Sequence, residues 1–139
     1  MVTKMPVTRQ MVKALLRQIG LKRAIDTGTF NDLMIDWYLS VQRDTDTMTN
    51  DLRSSPKIIT PIKGLNKRIL HTNELLARLT MPALFLWGDE DPNGGEAVAK
   101  EFVARLPNAQ LEIIREAGHA PWIDELDLCA ERTRAFLAA

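Results

Sequence analysis

One cysteine, one tyrosine and no long apolar run occur in these 139 residues, and each shortage excludes something. With Cys129 alone, an intrachain disulfide is impossible and a cysteine-rich zinc site is ruled out. No apolar stretch approaches the roughly 18 residues that cross a bilayer, so no membrane partner is expected. The amino end, residues 1–10, carries Lys4 and Arg9 with no apolar run behind them, and does not read as a secretory signal. A cytoplasmic setting is the default that follows. Repeats and low-complexity tracts are also missing. What remains is 45% apolar and 26% charged, the balance of an ordinary globular domain. The length suits one domain, which buries roughly two-thirds of its unfolded surface on folding.

Net charge is absent as well, since eighteen basic residues meet eighteen acidic ones. They are unevenly spread. Residues 1–75 hold twelve basic and seven acidic groups, a net of +5, and residues 76–139 hold six and eleven, a net of −5. Such a split suits two halves, or two copies, that attract each other. The positive residues are scattered, with no aromatic-interleaved strand and no zinc-finger spacing, so no nucleic-acid partner is expected.

The pattern along the chain changes midway. Thr8 reads as an N-cap for a helix whose stripe is Met11, Val12, Leu15, Leu16 and Ile19, with Gly20 ending it as a C′ residue. Thr29 with Asp32 resembles a capping box opening a helix through Met34, Trp37, Tyr38 and Val41. These three large residues, Met34, Trp37 and Tyr38, read as core, with lining of a pocket as the alternative. The helix ends in the polar stretch Arg43 to Thr47. Residues 50–64, with Pro56, Pro61 and Gly64, read as an irregular connection. Thr72 caps a short helix through Leu75, Leu76 and Leu79. No strand is expected in this half.

The second half switches period. Ala83 to Trp87 is a continuous apolar run, the pattern of a strand buried on both faces of a parallel sheet. It stops at Gly88-Asp89-Glu90-Asp91-Pro92, where every residue favours a turn. Val98, Phe102, Val103 and Leu106 follow at helical spacing. A second strand spans Gln110 to Arg115. After the loop 116–122, a last helix from about Asp124 turns Leu128, Cys129, Phe136 and Leu137 inward. Strand, helix, strand, helix makes a βαβα unit with parallel strands, and the fold class is α/β.

Ligands of open α/β sheets gather at the carboxyl ends of the strands. Asp89, Glu90 and Asp91 follow the first strand and His119 the second, so these loops are expected side by side. A carboxylate beside an imidazole fixes its tautomer and supports its protonated form, which a general base requires. Asp89 and Glu90 read as solvated turn residues, His71 as an exposed residue by a helix, and Cys129 as a small buried apolar group. Trp122 either packs under the His119 loop or lines a pocket.

Two segments carry a resemblance. Met81-Pro-Ala-Leu-Phe-Leu-Trp-Gly-Asp-Glu-Asp-Pro92 and Glu116-Ala-Gly-His-Ala-Pro-Trp122 resemble the last two strand-end motifs of the α/β-hydrolase fold family. The likeness covers residues 74–139, with the motifs in the family's order. It implies that Asp91, the Asp directly before the proline, holds the position of the triad acid, and that His119 holds that of the triad base. It also implies that residues 1–73 form a helical cap-like segment and residues 74–139 the carboxyl-terminal βαβα part of the core. No cofactor and no metal are implied, and a small-molecule ester or related substrate is.

The departure from the family pattern concerns the nucleophile, which sits in a G-x-S-x-G elbow between strand and helix. Ser40, Ser54 and Ser55 are the serines here, and none is flanked by glycines at that spacing. An aspartate nucleophile would need the same missing segment. The chain is therefore expected to hold acid and base without the group they activate, and to be inactive alone. The alternative is a non-catalytic remnant that associates with itself or with a partner. Either way, an apolar strand without its neighbour is a template for pairing, so a homo-oligomer or an amino-terminal companion chain is expected.

Overall fold

The first helix begins where the sequence supplies an acceptor: the Thr8 hydroxyl accepts from the Met11 N–H, opening α1 (Arg9–Leu16). In the computed structural model, residues 7–60, 64–65 and 71–139 are described. The amino end as far as residue 6, and Pro61 of the expected connection, lie outside them. Gly20 breaks the helical path with φ of 98°, a value only glycine adopts freely, as its C′ reading requires. The first helical stretch ends there, as expected, and after the kink a second, α2 (Lys22–Asp26), begins at once. The Asp26 carboxylate closes this kink, accepting from Lys22 and from Arg17 at 2.8–3.2 Å. Those bonds, to Lys22 first and Arg17 second, hold its carboxyl below the usual aspartate range.

The next helix, α3 (Asp32–Asp44), is capped by Asn31, whose side chain accepts from the Met34 N–H at 3.1 Å. The capping box expected at Thr29 is not used. Asn31 stands directly before the first helical residue, and the Thr29 hydroxyl bonds instead to that of Thr27. Ile35, Tyr38, Leu39 and Gln42 recur at i, i+3, i+4 and i+7 and turn toward α1 and α2. Trp37 falls off that stripe and is 64% exposed, so it is not core. Val12, Leu16, Leu21, Ala24, Phe30 and Ile35 make the main buried cluster, and Ile123 packs against it from far along the chain.

Thr45, in extended conformation, ends α3, as the polar stretch suggested. The irregular connection expected at 50–64 is corrected: α4 (Thr47–Ile58) runs through Pro56. A proline so near the end of a helix removes one bond without breaking the turns before it. Two short antiparallel strands follow, β1 (Ile59–Thr60) and β2 (Gly64–Leu65), where no strand was expected. Thr72 caps α5 (Asn73–Leu76), accepting from the Leu75 N–H; this helix stops three residues short of Leu79.

The remaining elements are β3 (Ala83–Gly88), α6 (Glu96–Val103), β4 (Ala109–Ile114), α7 (Pro121–Asp124) and α8 (Leu126–Leu137). β3 and β4 pair in parallel from Ala83 opposite Ala109 to Gly88 opposite Ile114. Successive side chains of a strand point to opposite faces. Phe85 meets Phe102 of α6 edge to face with centroids 5.6 Å apart, while Leu86 packs against Ile114, Ala117 and Cys129 of the α8 side. The two helices therefore cover opposite faces, giving helix, sheet, helix. Cys129 is buried, and that burial raises its thiol pKa, leaving it a packing group. Leu137, expected inward, is exposed because it lies one step off the Cys129–Phe136 stripe. Nor is β3 buried on both faces: Ala83 to Trp87 are all half-buried. Among the described residues β3 pairs with β4 alone.

Candidate active site

Parallel register sets the geometry of the site. Because Gly88 lies opposite Ile114, both strands end together and their loops leave from one edge. The ladder then continues past the strands, with the Asp89 N–H donating to the Ile114 carbonyl and the Glu90 N–H to that of Ala117. The loop after β3 folds back through bonds from the Asp91 N–H to the Gly88 carbonyl and from the Gly94 N–H to the Asp91 carbonyl. The Trp87 indole N–H fixes its far end, donating to the Gly94 carbonyl at 2.7 Å.

Asp91 and His119 meet across this edge. Asp91 Oδ2 lies 2.8 Å from His119 Nδ1. The Asp91 side chain is 7% exposed, whereas the imidazole is 52% exposed. Its other oxygen, Oδ1, accepts the backbone N–H of Asn93 at 2.8 Å. The Asn93 side-chain amide also approaches Nδ1, at 3.3 Å. Both acid and base line a cavity of about 320 Å³ together with Phe85, Trp87, Val98 and Pro121. An open, mostly apolar pocket beside a carboxylate–imidazole pair is a place where an uncharged carbonyl compound could rest.

The His119 loop is held from three sides. Gly118 donates its N–H to Asp124 Oδ2 at 2.9 Å, and His119 donates its own to the Gly20 carbonyl at 3.3 Å. Arg23 reaches over from α2, with Nη1 on the Glu116 carbonyl at 3.1 Å and Nη2 on Glu125 at 2.7 Å. The bond to Glu125 raises the Arg23 pKa further above its ordinary value. The kink at Gly20 thus reaches the base loop.

Asp89 is corrected from a solvated turn residue. Its side chain is largely buried and pairs with Arg115, which also binds Glu96 at 2.7 Å. That charge is taken up beside the site, and bonds from Lys100 and then Arg115 lower the Glu96 pKa. Glu90 is exposed, as expected of a turn. His71 is exposed, and its carbonyl accepts from Arg105. Trp122 is exposed beside Leu126 and lines a different surface hollow. Among the described residues no group of three or more His, Cys, Asp and Glu could hold a metal ion, and no helix is long and apolar enough to cross a membrane. Sequence reading missed Asn93 and Arg23, and it missed that the Gly20 carbonyl reaches the His119 loop. Asn93 stood inside a recognised turn, and long-range contacts such as those of Arg23 leave no local mark.

No protein-family model matches the chain. Among curated proteins it is 29% identical to the pimeloyl-[acyl-carrier protein] methyl ester esterase of Serratia marcescens, over 86% of this chain and 54% of that enzyme. It is also 29% identical to Lipase 1 of Psychrobacter immobilis, over 45% of this chain and 20% of the lipase. Among solved structures it matches a serine hydrolase involved in carbazole degradation, with a TM-score of 0.73 and 20% identity. That match covers 99% of this chain and 50% of the other. The chain thus spans about half the length of the first curated relative and of the matched structure.

Proposed function

The chain has the α/β-hydrolase fold, and from it we propose that Asp91 and His119 are the acid and base of a hydrolase acting on an ester or related carbonyl bond. The observation that carries this reading is the 2.8 Å contact between a buried carboxylate and a half-exposed imidazole at one sheet edge. The esterase and lipase relatives support the substrate class. Residues 74–139 are the last βαβα part of the core and residues 1–73 its cap-like segment. No cofactor enters the reaction.

Asp91 accepts the Nδ1–H, so the Nε2 lone pair is free to take a proton. That proton comes from the hydroxyl of a nucleophile on an elbow-bearing segment outside these 139 residues. The nucleophile's oxygen bonds to the substrate carbonyl carbon, and the proton on Nε2 passes to the departing alkoxide, which leaves as the alcohol. Water, deprotonated by the same nitrogen, then releases the acid and returns the proton to the nucleophile. Ser40, Ser54 and Ser55 all lie on α3 and α4, and none of them lines the cavity that holds Asp91 and His119, which supports a nucleophile from elsewhere.

The test supplies that segment. The chain alone is expected to hydrolyse p-nitrophenyl butyrate at the rate of buffer and to take up no serine-directed phosphonate. Joined to an amino-terminal segment bearing a G-x-S-x-G elbow, it should turn over the ester, and His119→Ala should remove that turnover. Stoichiometric labelling of the isolated chain would place the nucleophile within it. A folded complex without turnover would leave the non-catalytic remnant as the correct reading.

The same proposal concerns partners. Among the described residues β3 has one unpaired edge, and its faces are half-buried, which suits a strand of an amino-terminal companion or of a second copy. Light scattering at micromolar concentration should give a mass above that of one chain. A monomer that unfolds cooperatively and stays soluble would show that this edge needs no cover.

A further inference from the structure

Two groups converge on one nitrogen of the His119 ring. Asp91 Oδ2 lies 2.8 Å from Nδ1, and the amide position of Asn93 assigned as Nδ2 lies 3.3 Å from it. An imidazole nitrogen has a single in-plane site, either an N–H or a lone pair. Facing an ionised carboxylate, Nδ1 must carry the proton. An NH₂ group aimed at that N–H would set donor against donor. Which end of an amide faces a neighbour is decided by the bonding network, since nitrogen and oxygen are nearly alike in position. The network here admits the oxygen only.

The geometry points to Asn93 as a positioning residue for His119, its side-chain oxygen sharing the Nδ1–H with Asp91. The inference rests on the acid–base reading of that pair. Three features make a second acceptor useful at this place. The ring is half-exposed, so packing alone does not hold its orientation. The backbone under it is held by a long bond of 3.3 Å to Gly20. And Asn93 is itself anchored to the acid, because its own N–H donates to Asp91 Oδ1. Asp91, Asn93 and the ring therefore form one closed figure: the backbone of Asn93 fixes one carboxylate oxygen, the other oxygen binds Nδ1–H, and the Asn93 side chain closes on the same proton. A turn residue two places after the acid reaches this position because the loop folds back at once through the Asp91 N–H to Gly88 bond. The Nδ1–H tautomer is then favoured over the Nε2–H one, which leaves the lone pair of the neutral ring on Nε2.

The test uses the chain as it is, by following the imidazole with nitrogen-15 NMR. The native ring is expected to be the Nδ1–H tautomer in its neutral form. In Asn93→Ala, exchange of the Nδ1 proton with water should be about fivefold faster, the worth of one ordinary hydrogen bond. Asn93→Asp keeps an acceptor at the same reach and should restore slow exchange, which a merely structural role for the amide would not do. Asn93→Ser, which favours the turn but stops short of the ring, should behave as the alanine variant if that variant fails to fold. Unchanged exchange in both Asn93→Ala and Asn93→Ser, with Asp91→Asn still altering the tautomer, overturns the role of Asn93 and leaves the acid–base pair intact. A native ring in the Nε2–H form, or an Asp91→Asn spectrum like the native one, overturns the pair itself.

Discussion

In the enzyme completed by an elbow-bearing segment, Asp91→Asn is expected to lower kcat by about 10⁴ with KM little changed, the size of effect seen when a triad base is locked in the wrong tautomer. The direction follows from which atoms surround the carboxylate. Oδ1 accepts the Asn93 backbone N–H at 2.8 Å, and that donor remains after the substitution. The new amide must therefore give its oxygen to Asn93 and turn its NH₂ to the ring. Nδ1 must then offer a lone pair and the proton moves to Nε2, where the base needs to be empty. The Asn93 side chain can turn to donate as well, which strengthens the wrong tautomer. Asp91→Ala imposes no tautomer, so it is expected to be no worse than Asp91→Asn despite removing more. A loss below tenfold for Asp91→Asn, measured in single turnover, would mean that this contact does not set the state of His119.

The largest effect on stability is expected from Gly118→Ala. A Cβ there would stand 1.6 Å from the Gly20 carbonyl oxygen and 2.7 Å from its carbon, both backbone atoms of the kinked turn. No rotamer relieves such an overlap. The loop would have to withdraw from α2, giving up the His119 N–H bond to Gly20 and straining that of Gly118 to Asp124. Ordinary overpacking costs about 1–3 kcal/mol, and a clash of this kind belongs above that range, at about 4 kcal/mol or more. Gly28→Ala is the natural control. Nothing lies within 4 Å of its added Cβ, and only its φ of +79° is unfavourable, so about 1–2 kcal/mol is expected. Urea unfolding of the two variants should separate them clearly. Equal midpoints would show that the Gly118–Gly20 approach is not close in the folded protein.

Much of this architecture was legible because its signals are local. The apolar run at Ala83, the turn after Gly88 and the second strand each announce themselves within a few residues, and parallel pairing then dictates that Asp91 and His119 meet. The Thr8 and Thr72 caps were legible for the same reason. Asn31 displaced Thr29 because two good cap residues stood two places apart, and spacing to the first apolar residue does not rank them. α4 was hidden by Pro56, a residue that argues against a helix although it is harmless near an end. Gly20 gave both the backbone angle and the helix end, but not the immediate restart as α2, since a stop and a kink ask for the same positive φ. Trp37 shows the limit of composition: its size suggests core, but its position on the helix turns it outward.

The contacts that steady the base loop also order the events by which the site can assemble. His119 and Asp91 stand 28 residues apart, within one βαβα unit. The Arg23 bonds to Glu116 and Glu125 span 93 and 102 residues. Closing a longer loop costs more chain entropy before any contact returns it, and contacts of high sequence separation form slowly. The acid and base can therefore come together early, on their own strands, while the α2 brace arrives last. An assembling chain passes through a stage in which the pair exists on an unbraced loop, and the final gain in order at the site is contributed by residues that precede the pair in the chain.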